Sequence, residues 1–484
     1  MNQEIEQLEP NRIWNNFSKL NAVPRPSKKE EKVIEFMLNF GRSLQLETFK
    51  DEVGNVIIRK EASIGMEDCK TITLQSHLDM VHQKNSSTDF DFNTQGIEMY
   101  VDGDWVRARG TTLGADNGMG VAAIMSLLES HDIPHPPLEA LFTIDEETGM
   151  TGAMGLKGGV LKGQILLNLD TEEDDEIDIG CAGGIDITAT RTYEEQTVPK
   201  ESIAYGISVK GLHGGHSGMD IHRGFGNANK IMNRLLFKST EEFGIGVSQI
   251  DGGSLRNAIP RESFATVVLR ADQKEDFEVK ITEWVEDIKS ENSFVETKLN
   301  ISLNKVKMPV KMMEKTAQDK ILRAVYAAHN GVYAMSAAIP ELVETSNNIA
   351  RIQVKSGKIS IGCLTRSSVN TAKFDLANSL KSVFELADCS VTLTGEYPGW
   401  SPNPNSEILE VLKDQYEILF NEKPQVVACH AGLECGILGK NYPEMDMISF
   451  GPTIKGAHSP DERVSISSVK KFWIFLLQIL KNTP

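Results

Sequence analysis

A chain of 484 residues exceeds the roughly 100–200 residues of one ordinary domain, so two or three domains are expected, each able to bury a core. Apolar residues at 40% and charged residues at 24% describe a folded chain, not a disordered or fibrous one. The balance of 50 Lys and Arg against 68 Asp and Glu, formally -18 at pH 7, argues against general binding to nucleic acid or anionic membranes.

The opening MNQEIEQLEPNRIWNNF lacks a basic stretch followed by an apolar one, so no secretory signal is read there. No run approaches the roughly 18 apolar residues of a membrane span. Six scattered cysteines suit a reducing compartment, and the cytoplasm is the expected location.

Apolar spacing predicts a helix over 28–43, strands at 54–60 and 71–77, an apolar helix at 118–130, and strands at 138–144 and 163–169. This is the rhythm of an α/β domain with a largely parallel mixed sheet, whose sites lie beyond the strand ends. After Cys181 the rhythm changes. Strands at 203–210, 263–270 and 294–303 alternate with helices near 224–240 and 275–290. A second round follows: a helix at 315–329, strands near 347–353 and 357–363, a helix at 369–387 and a strand at 389–395. The order is that of a βαββαβ unit used twice. The Pro- and Gly-rich EYPGWSPNPNSE at 396–407 leads back to α/β order: a helix at 406–420, strands at 425–430 and 445–450, and a final helix capped by Ser467 or Ser468. The expected architecture is a discontinuous α/β catalytic domain, 1–186 and 397–484, around an inserted α+β lid domain of two βαββαβ-like lobes at 187–396.

Chemistry-bearing residues gather at the ends of the first-domain strands. HLDMV places His77 and Asp79 two apart, so that both side chains point the same way. One can bind a metal while the other orients its ring, although a strand-end histidine paired with a turn aspartate is also common. Asp116, in GADNG, precedes a helix and could simply cap it. DEETG at 145–149 packs three carboxylates beside apolar strands, where they repel one another unless protons or cations intervene. Asp170, in NLD, repeats the pattern, and His458, in GAHSPDERV, lies far along the chain from His77. Mixed nitrogen and oxygen donors favour zinc, cobalt or manganese over calcium or magnesium. A single structural ion, or surface acids alone, is the alternative.

The ordered set SHLDMV, RGTTLGADNG, DEETGMTGA, LNLDTEE, GGHSG, CHAGLECG and GPTIKGAHSPDERV resembles the M20 family of metallopeptidases over nearly the whole chain, and within it the branch that cleaves Xaa-His dipeptides. The resemblance implies hydrolysis of dipeptides, β-Ala-His among them, by a water bridging two metal ions, zinc first. One ion would be held by His77, Asp116 and Asp170, the other by Asp116, Glu147 and His458. Asp79 matches the orienting carboxylate and Glu146 the general base, and the peptide bond Asp116–Asn117 matches one that is typically cis. In the lid, His216 matches the residue that stabilises the oxyanion, and Asn257 and Arg366 match those that hold the substrate's carbonyl and C-terminal carboxylate. Glu434 matches an acid near the site, assigned to substrate binding. His82, His213, His222 and His430 are secondary, and Cys429 stands where the family motif usually has Pro. A homodimer through the lid and short peptides with a free carboxylate are the expected partners. A broader dipeptidase or tripeptidase, an N-acyl amino acid deacylase and a metal-stabilised scaffold remain as alternatives.

Overall fold

The apolar runs in TITLQSH and LEALFT bury every residue of two adjacent parallel strands, Ile72–His77 and Leu138–Thr143. They lie at the centre of an eight-stranded sheet in a computed structural model that describes residues 4–337 and 339–484. Its strand order is Glu47–Lys50, Val56–Lys60, Leu138–Thr143, Ile72–His77, Ile165–Asn168, Asp446–Ser449, Glu176–Cys181 and Gln425–Cys429. The four strands from Leu138–Thr143 to Asp446–Ser449 run parallel, with antiparallel pairs on either side. The parallel centre brings several strand ends to one edge. The helix Ala115–Glu129 is buried along almost its whole length, as its Ala- and Gly-rich sequence allows.

Two compact units divide the chain: one holds residues through Gly180, Trp400–Ala428 and Leu433–Pro484, the other Cys181–Gly399 and Cys429–Gly432. In the second unit the strands form one nine-stranded sheet, with neighbours antiparallel throughout. Its apolar core includes Leu235 and Leu236 of helix Ala228–Phe243, Trp284 of helix Lys274–Glu291, Ile321 of helix Lys315–Ala327 and Leu380 of helix Asn370–Leu386.

Two local expectations are corrected. The strand expected at 294–303 begins only at Asn300, because Phe294 is exposed and the Val295 amide turns back onto Asn292. The final helix, Ile466–Lys481, is capped by Ser465, whose hydroxyl accepts from the Ser468 amide, and not by Ser467 or Ser468. Among the described residues no helix is long and apolar enough to cross a membrane.

Candidate active site

His77 ends its strand with its side chain buried. Its Nδ1 lies 3.1 Å from the Asp79 carbonyl oxygen and 3.5 Å from the Asp79 carboxylate, which fixes the ring proton on that side. Nε2 faces Asp116 Oδ1 at 3.1 Å and Asp170 Oδ1 at 3.5 Å. On the other side of Asp116, Oδ2 lies 3.2 Å from His458 Nε2, which is 3.0 Å from Glu147 Oε2. Two groups of potential ligand atoms result, His77 with Asp116 and Asp170, and Asp116 with Glu147 and His458, each within 4.8 Å internally. Asp116 belongs to both.

The donor set fits divalent cations. Histidine nitrogens and carboxylate oxygens converge there, and Glu147 Oε1 is buried without a hydrogen-bond partner. Burial alone would lower the His77 pKa, but Asp170, Asp116 and Asp79 outweigh it and hold the ring well above its ordinary range. Hydrogen bonds to Asp116 and Glu147 raise His458 to about 11. Burial pushes the Asp116 carboxyl up, yet His458 and His77 hold it below the usual carboxylate range. Burial, reinforced by Asp116 and Glu147 against the pull of His77, lifts Asp170 to about 6.

Glu146 and Glu147 follow the strand Leu138–Thr143, and their amides donate to the two oxygens of Asp79 at 3.0 and 3.3 Å. One carboxylate thus steadies both the His77 ring and the turn carrying Glu146. Burial raises Glu146 well above a carboxyl's usual range, opposed by His77 and reinforced by Asp170, Glu434 and Glu147. Asn117, joined to Asp116 by a cis peptide bond, donates to the Leu169 carbonyl and to Asp170.

Two supports escaped the sequence reading. Arg25, fully buried, donates to the carbonyls of Leu78 and Asp79 at 3.1 Å each, and also to that of Gly114. It therefore ties the His77 loop to the Asp116 loop. Side chains at 114 or 118 would come within 2.6 Å of its Nη2, so glycine makes room for the guanidinium. Glu462 accepts the amides of Leu113, Gly114, Ala115 and Asp116 at 2.7 to 3.3 Å, a carboxylate seated at a helix start. The only sequence signals were an arginine between two prolines and an acid four residues after His458.

Glu434 lies beneath the strand ends and is completely buried. Its Oε2 accepts from Gln75 and Thr143 at 2.6 Å each, Oε1 has no partner, and burial raises its carboxyl to about 8. The chain places this acid against the sheet and not on an open wall.

In the second unit, His213 stacks on Phe225 and bonds Glu296 at 3.0 Å, which anchors the GLHGGHSG loop. His216 Nδ1 accepts from the amides of Gly218 and Met219, so the proton of its neutral ring resides on Nε2. Burial, helped by Arg366, lowers its pKa to about 4, which keeps the ring neutral. Its Nε2 lies 3.4 Å from Arg366 Nη2. These are two donors side by side, an arrangement that suits a shared anionic acceptor. Asn257 is exposed, with its backbone held by Ser217 and flanked by two carbonyls, of Arg256 and Ala258, that accept from Asn348. His430 bonds the Ser346 hydroxyl at 2.8 Å, and Cys429 lies 3.5 Å from the Met219 sulfur. His82 and His222 are exposed; His82 packs edge-on to Phe92.

The cytosol non-specific dipeptidase of Escherichia coli K12 is 42% identical over 481 residues, 99% of each chain. The crystal structure of aminoacylhistidine dipeptidase from Vibrio alginolyticus superposes with a TM-score of 0.94 at 43% identity, covering 100% of this chain and 98% of that one. An aminopeptidase structure from Bacillus cereus shares the fold, with a TM-score of 0.58 at 15% identity and 98% coverage of both chains. The model of peptidase family M20/M25/M40 matches residues 73–482, and with a relative this similar along its whole length the chain belongs to that family of peptide-bond hydrolases.

Proposed function

We propose that the protein is a metal-dependent dipeptidase. The observation that carries this is the pair of three-residue ligand groups sharing Asp116, with Glu146 beside them. His77, Asp116 and Asp170 would hold one divalent cation, and Asp116, Glu147 and His458 a second, with zinc the first choice for nitrogen and carboxylate donors. Cations bound there would supply Lewis acidity and lower the pKa of water.

The chain's own residues do the rest. Glu146 Oε takes the proton of the attacking water and returns it to the departing amine, which balances the hydrolysis. Asp79 keeps the His77 ring and the Glu146 turn in place. His216, neutral and with its proton on Nε2, donates to the oxygen that gains charge as the carbonyl carbon becomes tetrahedral. Arg366 holds the free carboxylate of the peptide, and Asn257 offers an amide to its carbonyl. Glu434, buried as it is, supports the strand ends through its bonds to Gln75 and Thr143.

The E. coli relative's name supports dipeptides without a fixed second residue, and the Vibrio protein's name supports histidine there. We take dipeptides as the substrate class, Xaa-His included, and the cytoplasm as the location. Arg366→Ala should cut the preference for free-carboxylate dipeptides over their amides by about 100-fold, the scale of leaving a buried charge without its partner. A panel of dipeptides, dipeptide amides, tripeptides and N-acetyl amino acids reads this directly. Faster hydrolysis of the N-acetyl amino acids would replace the dipeptidase reading with a deacylase.

A further inference from the structure

One rung of the nine-stranded sheet joins three strands at Gly184, which pairs with Arg366 on one side and Tyr397 on the other. A Cβ at 184 would lie 2.6 Å from Cε1, Cζ and the hydroxyl oxygen of Tyr397. With glycine there, the flanking side chains reach across the gap, and Arg366 Nη1 donates to the Tyr397 hydroxyl at 2.8 Å.

Arg366 is itself buried, with Nε 3.4 Å from Ser217 Oγ and Nη2 3.4 Å from His216 Nε2. Its fork is therefore set by a hydroxyl on either side. The Tyr397 oxygen accepts from Arg366, which leaves its own proton to be given to another acceptor. Burial raises the phenol, against the pull of Arg366, so it stays a protonated donor at neutral pH. Buried Lys373 donates to the Tyr397 carbonyl and to Glu396 at 2.7 Å, which fixes the backbone that carries the ring. The guanidinium thus has a further donor beside each end, the phenol at Nη1 and the His216 Nε2–H at Nη2.

We propose that Tyr397 is a substrate-recognition residue, fixing the Arg366 fork and giving its own O–H to the free carboxylate of the dipeptide. The proposal rests on the reading of Arg366 as that carboxylate's partner. It explains why the rung needs glycine at its centre, since any side chain at 184 would displace the ring.

The test uses the zinc-loaded full chain with Gly-His and Gly-His amide. Tyr397→Phe should raise KM for Gly-His about tenfold with kcat nearly unchanged, and shrink the preference for acid over amide by about the same factor, as expected for one lost bond to a charged group. Gly184→Ala, which keeps the hydroxyl but moves the ring, should shrink the preference in the same way. Equal losses on the two substrates in both variants would make the tyrosine merely structural and overturn the proposal. If Arg366→Ala shrinks the preference while Tyr397→Phe and Gly184→Ala leave it intact, the clamp stands and the Tyr397 proposal falls. If Arg366→Ala leaves it intact, the clamp fails and the proposal with it.

Discussion

Glu146→Gln should lower kcat by about 100- to 10,000-fold, the range attributable to a lost general base, while metal content and thermal stability stay close to those of the parent. The amide matches the carboxylate in size, and the backbone bond from residue 146 to Asp79 does not depend on the side chain. What disappears is the ability to accept a proton. Turnover by stopped assay alongside metal analysis of the same sample checks the prediction. Near-normal turnover in a fully metallated Glu146→Gln protein would remove Glu146 from its assigned role.

Asp116→Asn should be equally severe for a different reason. Each Asp116 oxygen faces a different histidine, at 3.1 and 3.2 Å, so the side chain serves both ligand groups at once. Replacing one oxygen by an NH2 donor takes a ligand from one group and turns positive hydrogens toward the remaining donors. Metal content should fall to about half or less, and activity with it, by a factor on the order of that for Glu146→Gln or more. The two variants are told apart by metal analysis: Glu146→Gln retains its metal and Asp116→Asn loses it. Full retention by Asp116→Asn would show that the residue bridges nothing.

The strands that carry these residues were legible because their burial is written in short apolar runs. TITLQSH and LEALFT each lie entirely inside the sheet, and the residues just beyond them fall where parallel strands end together. Helix 31–43 and the helix at 115–129 were legible through spacing and composition in the same way. The errors arose where apolar letters do not imply burial. Phe294 opens a run that reads as a strand, yet the side chain is exposed and the backbone turns. The final cap was misplaced because three serines stand within four positions, and only backbone geometry selects Ser465.

Within the site, residues that meet a histidine or another acid announced themselves by type and local motif. Supporting residues did not. Arg25 acts on carbonyls 53 to 89 positions away, and Glu462 on amides more than 340 positions away, through bonds to backbone that leave no trace in the partner's identity. Tyr397 meets Arg366 only because residue 184 lacks a side chain, a condition set jointly by three strands. Glu434 was legible as an acid near the site, but its depth beneath Gln75 and Thr143 required the sheet to be built.

The central claim is that hydrolysis depends on cations held by the two groups around Asp116. The most direct measurement strips the protein with a chelator and titrates zinc back while following both bound metal and Gly-His hydrolysis. The account predicts no turnover in the stripped protein and recovery that saturates at one cation per ligand group. Full-rate hydrolysis by the stripped protein, or none by the fully metallated one, would contradict it.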